Sequence, residues 1–240
     1  MLPALICALL GAVAGLVAPR LIATTPDIVP DAAEDPDDFP ELVPFAEVGA
    51  RRGVRVGSVV AGAVAAGVLG AVFGLSWGTG LLLVAIPFAI ALAVIDYVTW
   101  FLPNRLIAPA ALSVAVIVVA AAVALGHPAI VAHAVIGALG MGGYYGLLWL
   151  ISPRIMALGD VKLGALIGLT LGPWGLAATV LGLLAAGVVS LLALPAMRLL
   201  GNTRNQGGTR GALRAHVPFG PSMLVGAWLA PLLARALGVV

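Results

Sequence analysis

Long apolar runs, separated by short polar breaks, occupy most of the 240 residues of this chain. A membrane-spanning helix needs about 20 mostly apolar residues. Hydrophobic residues make up 62% of the chain and charged residues only 9%, whereas soluble domains carry about 25% charged residues. The pattern therefore predicts an all-α fold, a polytopic membrane bundle of about eight transmembrane helices. The predicted spans cover residues 2–22, 54–75, 78–97, 105–125, 129–151, 161–173, 174–197 and 217–237.

One polar stretch divides the chain into three predicted parts. Residues 1–23 form the first transmembrane segment, and residues 54–240 form a multi-span region. Between them, residues 24–53 carry eight of the ten acidic residues, together with several prolines. A segment this polar buries little apolar surface, so we expect a weakly ordered acidic loop.

Basic residues fall almost entirely on one side of the membrane if the predicted spans alternate in direction. Only Arg235, out of twelve basic residues, falls on the other side. The first group consists of Arg20, Arg51, Arg52, Arg55, Arg105, Arg154, Lys162, Arg198, Arg204, Arg210 and Arg214. Because short basic loops stay in the cytoplasm, that side is predicted to be cytoplasmic, with an even number of spans and both chain ends outside.

Charge and cysteine content exclude several classes of function. The net charge of +2 is small and dispersed, so no nucleic-acid partner is predicted. Cys7 is the only cysteine, which rules out an intrachain disulfide and a cysteine-based zinc cluster. We predict no metal site and no cofactor.

Two acidic residues stand apart from the acidic loop. Asp96 ends the third predicted span, and Asp160 begins the sixth. The topology places both at the cytoplasmic boundary, where carboxylates beside hydrocarbon are costly and usually functional. Two carboxylates in close contact share one proton, so one member can activate water while the other polarises a carbonyl. The sequence thus predicts a catalytic pair, Asp96 and Asp160.

Structural roles remain open for both acids. Asp96 could cap the next segment or pair with Arg105. Asp160 could be a helix N-terminal acid that the helix dipole favours. Lys162 could lower the pKa of a nearby carboxylate or anchor its helix at the membrane interface, and we favour anchoring.

Three motifs surround these acids. Pro103 is expected to end or kink a helix, Gly159 permits close backbone approach before Asp160, and the prolines near residue 220 indicate a broken helix entry. The motifs are Asp96 followed by Leu102-Pro103-Asn104, then Gly159-Asp160-Val161-Lys162-Leu163, and then Val217-Pro218-Phe219-Gly220-Pro221.

Together the motifs resemble those of the type IV prepilin peptidase family, membrane aspartic peptidases that include the Tad-pilus and preflagellin enzymes. The resemblance covers roughly residues 78–237. It implies a multi-pass protein of a bacterial or archaeal cytoplasmic membrane that cleaves basic leaders from prepilins or pseudopilins. The family's catalytic aspartates map to Asp96 and Asp160. The motif residues Pro103, Asn104, Gly159, Lys162, Pro218 and Gly220 are predicted to support the site.

The chain departs from the family in two places. Where the second motif usually begins with glycine, this chain has Ala157. Larger relatives carry a cytoplasmic domain with zinc-binding cysteines after the first span and are also N-methyltransferases. Residues 24–53 occupy that place without a cysteine, so the resemblance implies a peptidase without zinc and makes methylation doubtful.

Two functions of other classes use the same features. A small proton- or ion-coupled transporter could use both acids as carriers, although we find no internal repeat of the kind that such proteins often show. A non-catalytic scaffold of a pilus or secretion assembly needs neither acid. The acidic loop could attract basic leaders, or it could be a solvated linker, which we favour.

Other polar and aromatic residues are weaker candidates. His127 and His133 are predicted to lie at the outer face, whereas His216 lies near the inner face and could touch the site. We interpret Tyr144, Tyr145 and Trp149 as packing or interfacial residues. The sequence does not indicate an oligomeric state.

Overall fold

The computed structural model describes residues 1–27, 43–153, 156–199 and 218–239. All regular structure in these ranges is helical. The helices are α1 (Leu2–Thr24), α2 (Phe45–Ala50), α3 (Arg52–Phe73), α4 (Trp77–Thr99), α5 (Asn104–Leu125), α6 (Ala129–Ile151), α7 (Leu158–Leu171), α8 (Leu176–Leu199) and α9 (Gly220–Ala236), with a 3₁₀ turn over Gly172–Trp174. Arg154, the basic residues from Arg204 to Arg214, and His216 lie outside the described residues.

The predicted all-α membrane bundle is confirmed, although the number of spans is only approximately right. Six described helices, α1, α3, α4, α5, α6 and α8, are long and apolar enough to cross a membrane. The predicted spans 161–173 and 217–237 correspond to α7 and α9, which have 14 and 17 residues. At 1.5 Å per residue α7 extends about 21 Å, so it is too short to cross about 30 Å of hydrocarbon by itself.

Glycines let two helix pairs approach closely. Between α1 and α3, Gly11 faces the backbone of Gly62 so tightly that a Cβ at either position would meet the other's carbonyl oxygen. Between α6 and α7, Gly137 and Gly168 are in the same relation. Small residues at such contacts let membrane helices pack without a hydrophobic driving force between them. These contacts fix the position of α7 against its neighbour.

Part of the acidic loop is ordered, contrary to the expectation for residues 24–53. Residues Phe45–Ala50 form α2, and the side chains of Phe45 and Val48 are fully buried in the core that includes the end of α1. The Phe45 backbone N–H donates to Oδ1 of Asp27 over 2.7 Å. Burial of two apolar side chains thus orders the end of a segment whose polar composition predicted little structure.

Helix ends from separate parts of the chain meet at one face of the bundle, which we call the site face. The C-terminal ends of α4 and α6 lie there with the N-terminal ends of α5, α7 and α9, as the short connections and the contacts α4–α9, α5–α7 and α7–α9 require. At the opposite face, the ring of Trp174 packs edge-on against Phe73, with centroids 4.8 Å apart. His127 lies at that opposite face, between α5 and α6.

Replacement of Gly62 by alanine tests the close packing of α1 on α3. The new methyl group would overlap the Gly11 backbone, and overpacking of this kind typically costs about 1–3 kcal/mol. We expect a lower thermal midpoint for Gly62→Ala in detergent, measured by circular dichroism. Gly57→Ala on the same helix is the matched control, because nothing lies within 4 Å of its Cβ position. An equal midpoint for both variants would contradict the packing.

Candidate functional site

Asp96 lies in the last turn of α4, with its side chain only 4% exposed. Its Oδ2 accepts a hydrogen bond of 2.9 Å from the backbone N–H of Gly220, the first residue of α9. Backbone N–H groups in the first turn of a helix lack partners within the helix, and they favour negative charge. Asp96 therefore does bind a helix N-terminus, but that of α9 and not that of the next segment, α5.

Residue 220 must be glycine for this contact to form. A Cβ at this position would lie 2.7 Å from Oδ2 of Asp96 and 3.1 Å from its Cγ. Pro218, two residues before Gly220, is buried where the chain leads into α9. The motif at residues 218–221 thus brings an unobstructed backbone N–H to the carboxylate of Asp96.

Asp160 is the third residue of α7, and 9% of its surface is exposed. Its Oδ2 accepts a 3.2 Å hydrogen bond from the backbone N–H of Ala157, the residue that precedes the helix. This is the returning half of a capping box, so the helix-terminal role left open by the sequence does apply. Ala157 has φ −80° and ψ 152°, an extended conformation open to any residue, so alanine replaces the family's glycine here without strain.

The two carboxylates come from helices far apart in sequence and lie within range of a direct electrostatic interaction. Both are buried among apolar side chains, and each has one oxygen held by a backbone N–H. Low local polarity strengthens such interactions. The arrangement leaves lone pairs on both carboxylates for a water molecule or a substrate.

The remaining motif residues hold the surrounding helix ends together. Gly159 packs against Leu102, whose Cβ lies 3.0 Å from where a Cβ of residue 159 would be. Nζ of Lys162 donates to Oδ1 of Asn104 over 2.9 Å, which links α7 to α5. Pro103 is buried and directly precedes α5. Lys162 thus hydrogen-bonds to an amide at an exposed position, and its anchoring at the membrane interface stays a prediction.

Sequence reasoning missed the conformation of Trp100. Its φ of 57° and ψ of 27° are left-handed, and it is the one positive-φ residue other than glycine in the described ranges. Its backbone N–H donates to the Asp96 carbonyl oxygen over 2.9 Å. A left-handed conformation costs a residue with a side chain about 1–2 kcal/mol, and such strain often occurs near functional sites. No sequence signal marked it, because tryptophan rarely ends a helix in this way.

Tyr145 on α6 is a second residue whose position the sequence did not predict. It is 2% exposed, its ring lies in contact with the backbone of Gly164, and the ring centroid is 6.0 Å from that of Phe219. It also lies within electrostatic range of Asp160. The packing predicted for Tyr145 is present, and its partners Gly164 and Phe219 lie close in sequence to Asp160 and to Gly220. The one available signal was Gly164, which follows Asp160 by four residues and so shares its helix face.

The described residues contain no group of three His, Cys, Asp or Glu side chains placed to hold a metal ion. The site geometry instead consists of two carboxylates, two backbone donors and apolar walls. Such an arrangement suits transfer of a proton between a carboxyl group, a water molecule and a bound carbonyl compound.

Comparison with known proteins found a match for the central part of this chain. Residues 83–194 match the sequence profile of the type IV leader peptidase family. The matched stretch contains both Asp96 and Asp160 and ends before Pro218. Searches of curated proteins and of solved structures found no match for the chain.

The helical membrane architecture agrees with this match, and the resemblance noted from the three motifs is confirmed. Residues 83–194 of the chain are thus similar to the type IV leader peptidase family.

Proposed function

We propose that this protein is a membrane aspartic endopeptidase that removes the leader of type IV prepilin-like proteins. Asp96 and Asp160 are the proposed catalytic pair. The observation that carries the proposal is the burial of these two carboxylates near each other, from separate helices, within the stretch that matches a leader peptidase family. The substrates are prepilins or pseudopilins, which reach the site from the bilayer.

The proposed reaction needs only the two acids and water. The ionised member of the pair takes a proton from water while the protonated member donates to the scissile carbonyl oxygen. The water oxygen forms a bond to the carbonyl carbon, and the resulting tetrahedral intermediate breaks at its C–N bond. The leaving nitrogen takes a proton from the pair, and a hydroxyl group of the intermediate gives one proton back to the pair as the carbonyl re-forms. The pair then holds a single proton, as it did at the start.

The backbone donors fit this role because each of them holds one oxygen of a carboxylate and leaves the other oxygen available for the reaction. Gly220 donates to Asp96 and Ala157 donates to Asp160, each through one oxygen. The opposite oxygens remain available for the shared proton and the water. Backbone N–H groups carry no charge and do not titrate, so they orient the carboxylates in either protonation state.

We also propose that the site face is cytoplasmic. Arg20, Arg51, Arg52, Arg55 and Arg105 lie at helix ends on this face, and the positive-inside rule supports a cytoplasmic position for them. Leaders of this family are basic and are cut on the cytoplasmic side of the membrane, which fits the same orientation.

Asparagine substitutions test the catalytic pair. Asp96→Asn and Asp160→Asn each keep an oxygen that accepts the Gly220 or Ala157 hydrogen bond, so both variants should fold. Because the amide cannot exchange the proton, leader cleavage should fall by at least about 10²–10⁴-fold. Cleavage of candidate prepilins by purified enzyme, followed by mass spectrometry, measures the effect.

Asp27→Asn provides the matched control for this experiment. It removes one negative charge at the site face and retains the hydrogen bond to Phe45, so it should cleave at the normal rate. Normal cleavage by either catalytic variant would contradict the proposal. Proton or solute flux in proteoliposomes without any cleavage would support the transporter instead.

Gly220→Ala tests the support of Asp96 without removing an acid. The methyl group would lie 2.7 Å from Oδ2, so either the carboxylate or the start of α9 must move. A displacement of about 1 Å at a reacting group can lower the reaction rate about 10²-fold. We therefore expect kcat to fall by that order. Gly143→Ala, with open space around its Cβ position, should remain at the wild-type rate. Equal rates for the two variants would show that the Asp96 contact has no catalytic importance.

Labelling with a membrane-impermeant maleimide tests the orientation. Cys7 is fully buried, so the unchanged chain should not react and serves as the background. In intact cells we expect His127→Cys to be labelled and Glu47→Cys to be protected, because these residues lie at opposite faces. The reverse pattern would place the site face outside.

A further inference from the structure

Several polar side-chain atoms are buried without a hydrogen-bond partner among the described residues, and one of them, the Tyr145 hydroxyl, belongs to a residue near the two acids. Tyr145 is 98% buried, and its hydroxyl has no hydrogen-bond partner among the described residues. A buried hydroxyl without a partner costs roughly 1–3 kcal/mol, and native structures rarely retain one without a reason. Tyr144, its neighbour in sequence, is 46% exposed and provides a natural comparison.

The ring of Tyr145 is fixed by the same elements that hold the two acids. It lies against the backbone of Gly164, one helical turn after Asp160 on the same face of α7. Its edge-on partner Phe219, at a centroid distance of 6.0 Å, directly precedes Gly220, the donor to Asp96. Tyr145 thus contacts both the helix that carries Asp160 and the chain that orients Asp96.

The electrostatic interaction between Tyr145 and Asp160 also connects the tyrosine with the site. Tyr145 and Asp160 lie within range of a direct electrostatic interaction, yet the hydroxyl does not donate to that carboxylate in the described structure. The group is therefore an immobilised donor beside the acids, and its hydrogen is free for another acceptor. Donors fixed before reaction stabilise developing negative charge more effectively than mobile ones.

We propose that the Tyr145 hydroxyl donates a hydrogen bond to the scissile carbonyl oxygen of the bound peptide and so stabilises the tetrahedral intermediate. This inference rests on the proposed peptidase function. The hydroxyl keeps its proton throughout and forms no covalent bond. Its ring, held between Gly164 and Phe219, sets where the substrate backbone lies relative to Asp96 and Asp160.

Tyr145→Phe removes only the hydroxyl and leaves the ring contacts in place. Because the hydroxyl has no partner to lose in the described structure, we expect an unchanged or higher thermal midpoint. Loss of one oxyanion donor lowers kcat by about 10²–10³-fold. Since the bond would strengthen only as negative charge develops, kcat and kcat/KM should fall equally, with KM unchanged.

Tyr144→Phe is the matched control, since it removes the same group from an exposed neighbour, and it should retain the wild-type kcat. The plot of kcat against pH for Tyr145→Phe should have the same shape as that of the wild type, with kcat lower at every pH. A wild-type kcat for Tyr145→Phe, a change in KM alone, or a displaced pH profile would each overturn the proposal, because a displaced profile indicates action on Asp160.

Replacement of Tyr145 by 4-fluorophenylalanine keeps the ring and fills most of the space of the hydroxyl but cannot donate a hydrogen bond, and it covers the case in which the phenylalanine variant folds poorly. A folded variant with kcat as low as that expected for phenylalanine supports the donor role, and a wild-type kcat overturns it. The wild type and Asp160→Asn are measured alongside. If the wild type cleaves no prepilin, the proposed function is wrong. If the wild type and Tyr145→Phe cleave at the same rate while Asp160→Asn does not cleave, the peptidase function stands and only the role of Tyr145 is wrong.

Discussion

The hydrogen bond from the Gly220 backbone to Asp96 is the interaction on which the site depends. It joins residues 124 positions apart in the chain and ties the end of α4 to the start of α9. In an apolar interior, neither an unpaired carboxylate nor an unpaired helix N–H is cheap to bury. The hydrogen bond removes the free-energy cost of burying each group unpaired. The connection between α4 and α9 is therefore more specific than the contacts between the aliphatic side chains around it.

Asp160 is held by a hydrogen bond of the same kind, from the backbone N–H of Ala157. The sequence presented helix capping and catalysis as competing explanations for each acid. In the structure, each carboxylate caps a helix N-terminus through one oxygen, and one such bond does not exhaust its accepting capacity. Capping therefore explains how the carboxylates are positioned and stabilised, and it leaves their chemistry open.

Features repeated along the chain were predictable, whereas features that depend on contact between distant helices were not. Long apolar runs sufficed for the helical membrane bundle, and the motifs at Asp96 and Asp160 sufficed for the family, both of which are confirmed. Composition did not predict α2, because the burial of Phe45 and Val48 depends on α1. Nor could it predict the site position of Tyr145, since its contacts with Gly164 and Phe219 arise only when α6, α7 and α9 pack. The catalytic role of the acids remains a prediction.

The short length of α7 explains why a carboxylate is tolerated at its start. Its partner α6 continues five residues past Gly146, which packs on Val161, whereas α7 begins only three residues before Val161. Those lengths correspond to about 7.5 and 4.5 Å, so α7 starts below the end of α6. Ala157, which directly precedes α7, therefore needs a partner for its backbone N–H within the protein, as irregular backbone at membrane depth does. Asp160 supplies one for Ala157, and the recessed entry in turn keeps this carboxylate beside Tyr145 and away from bulk water.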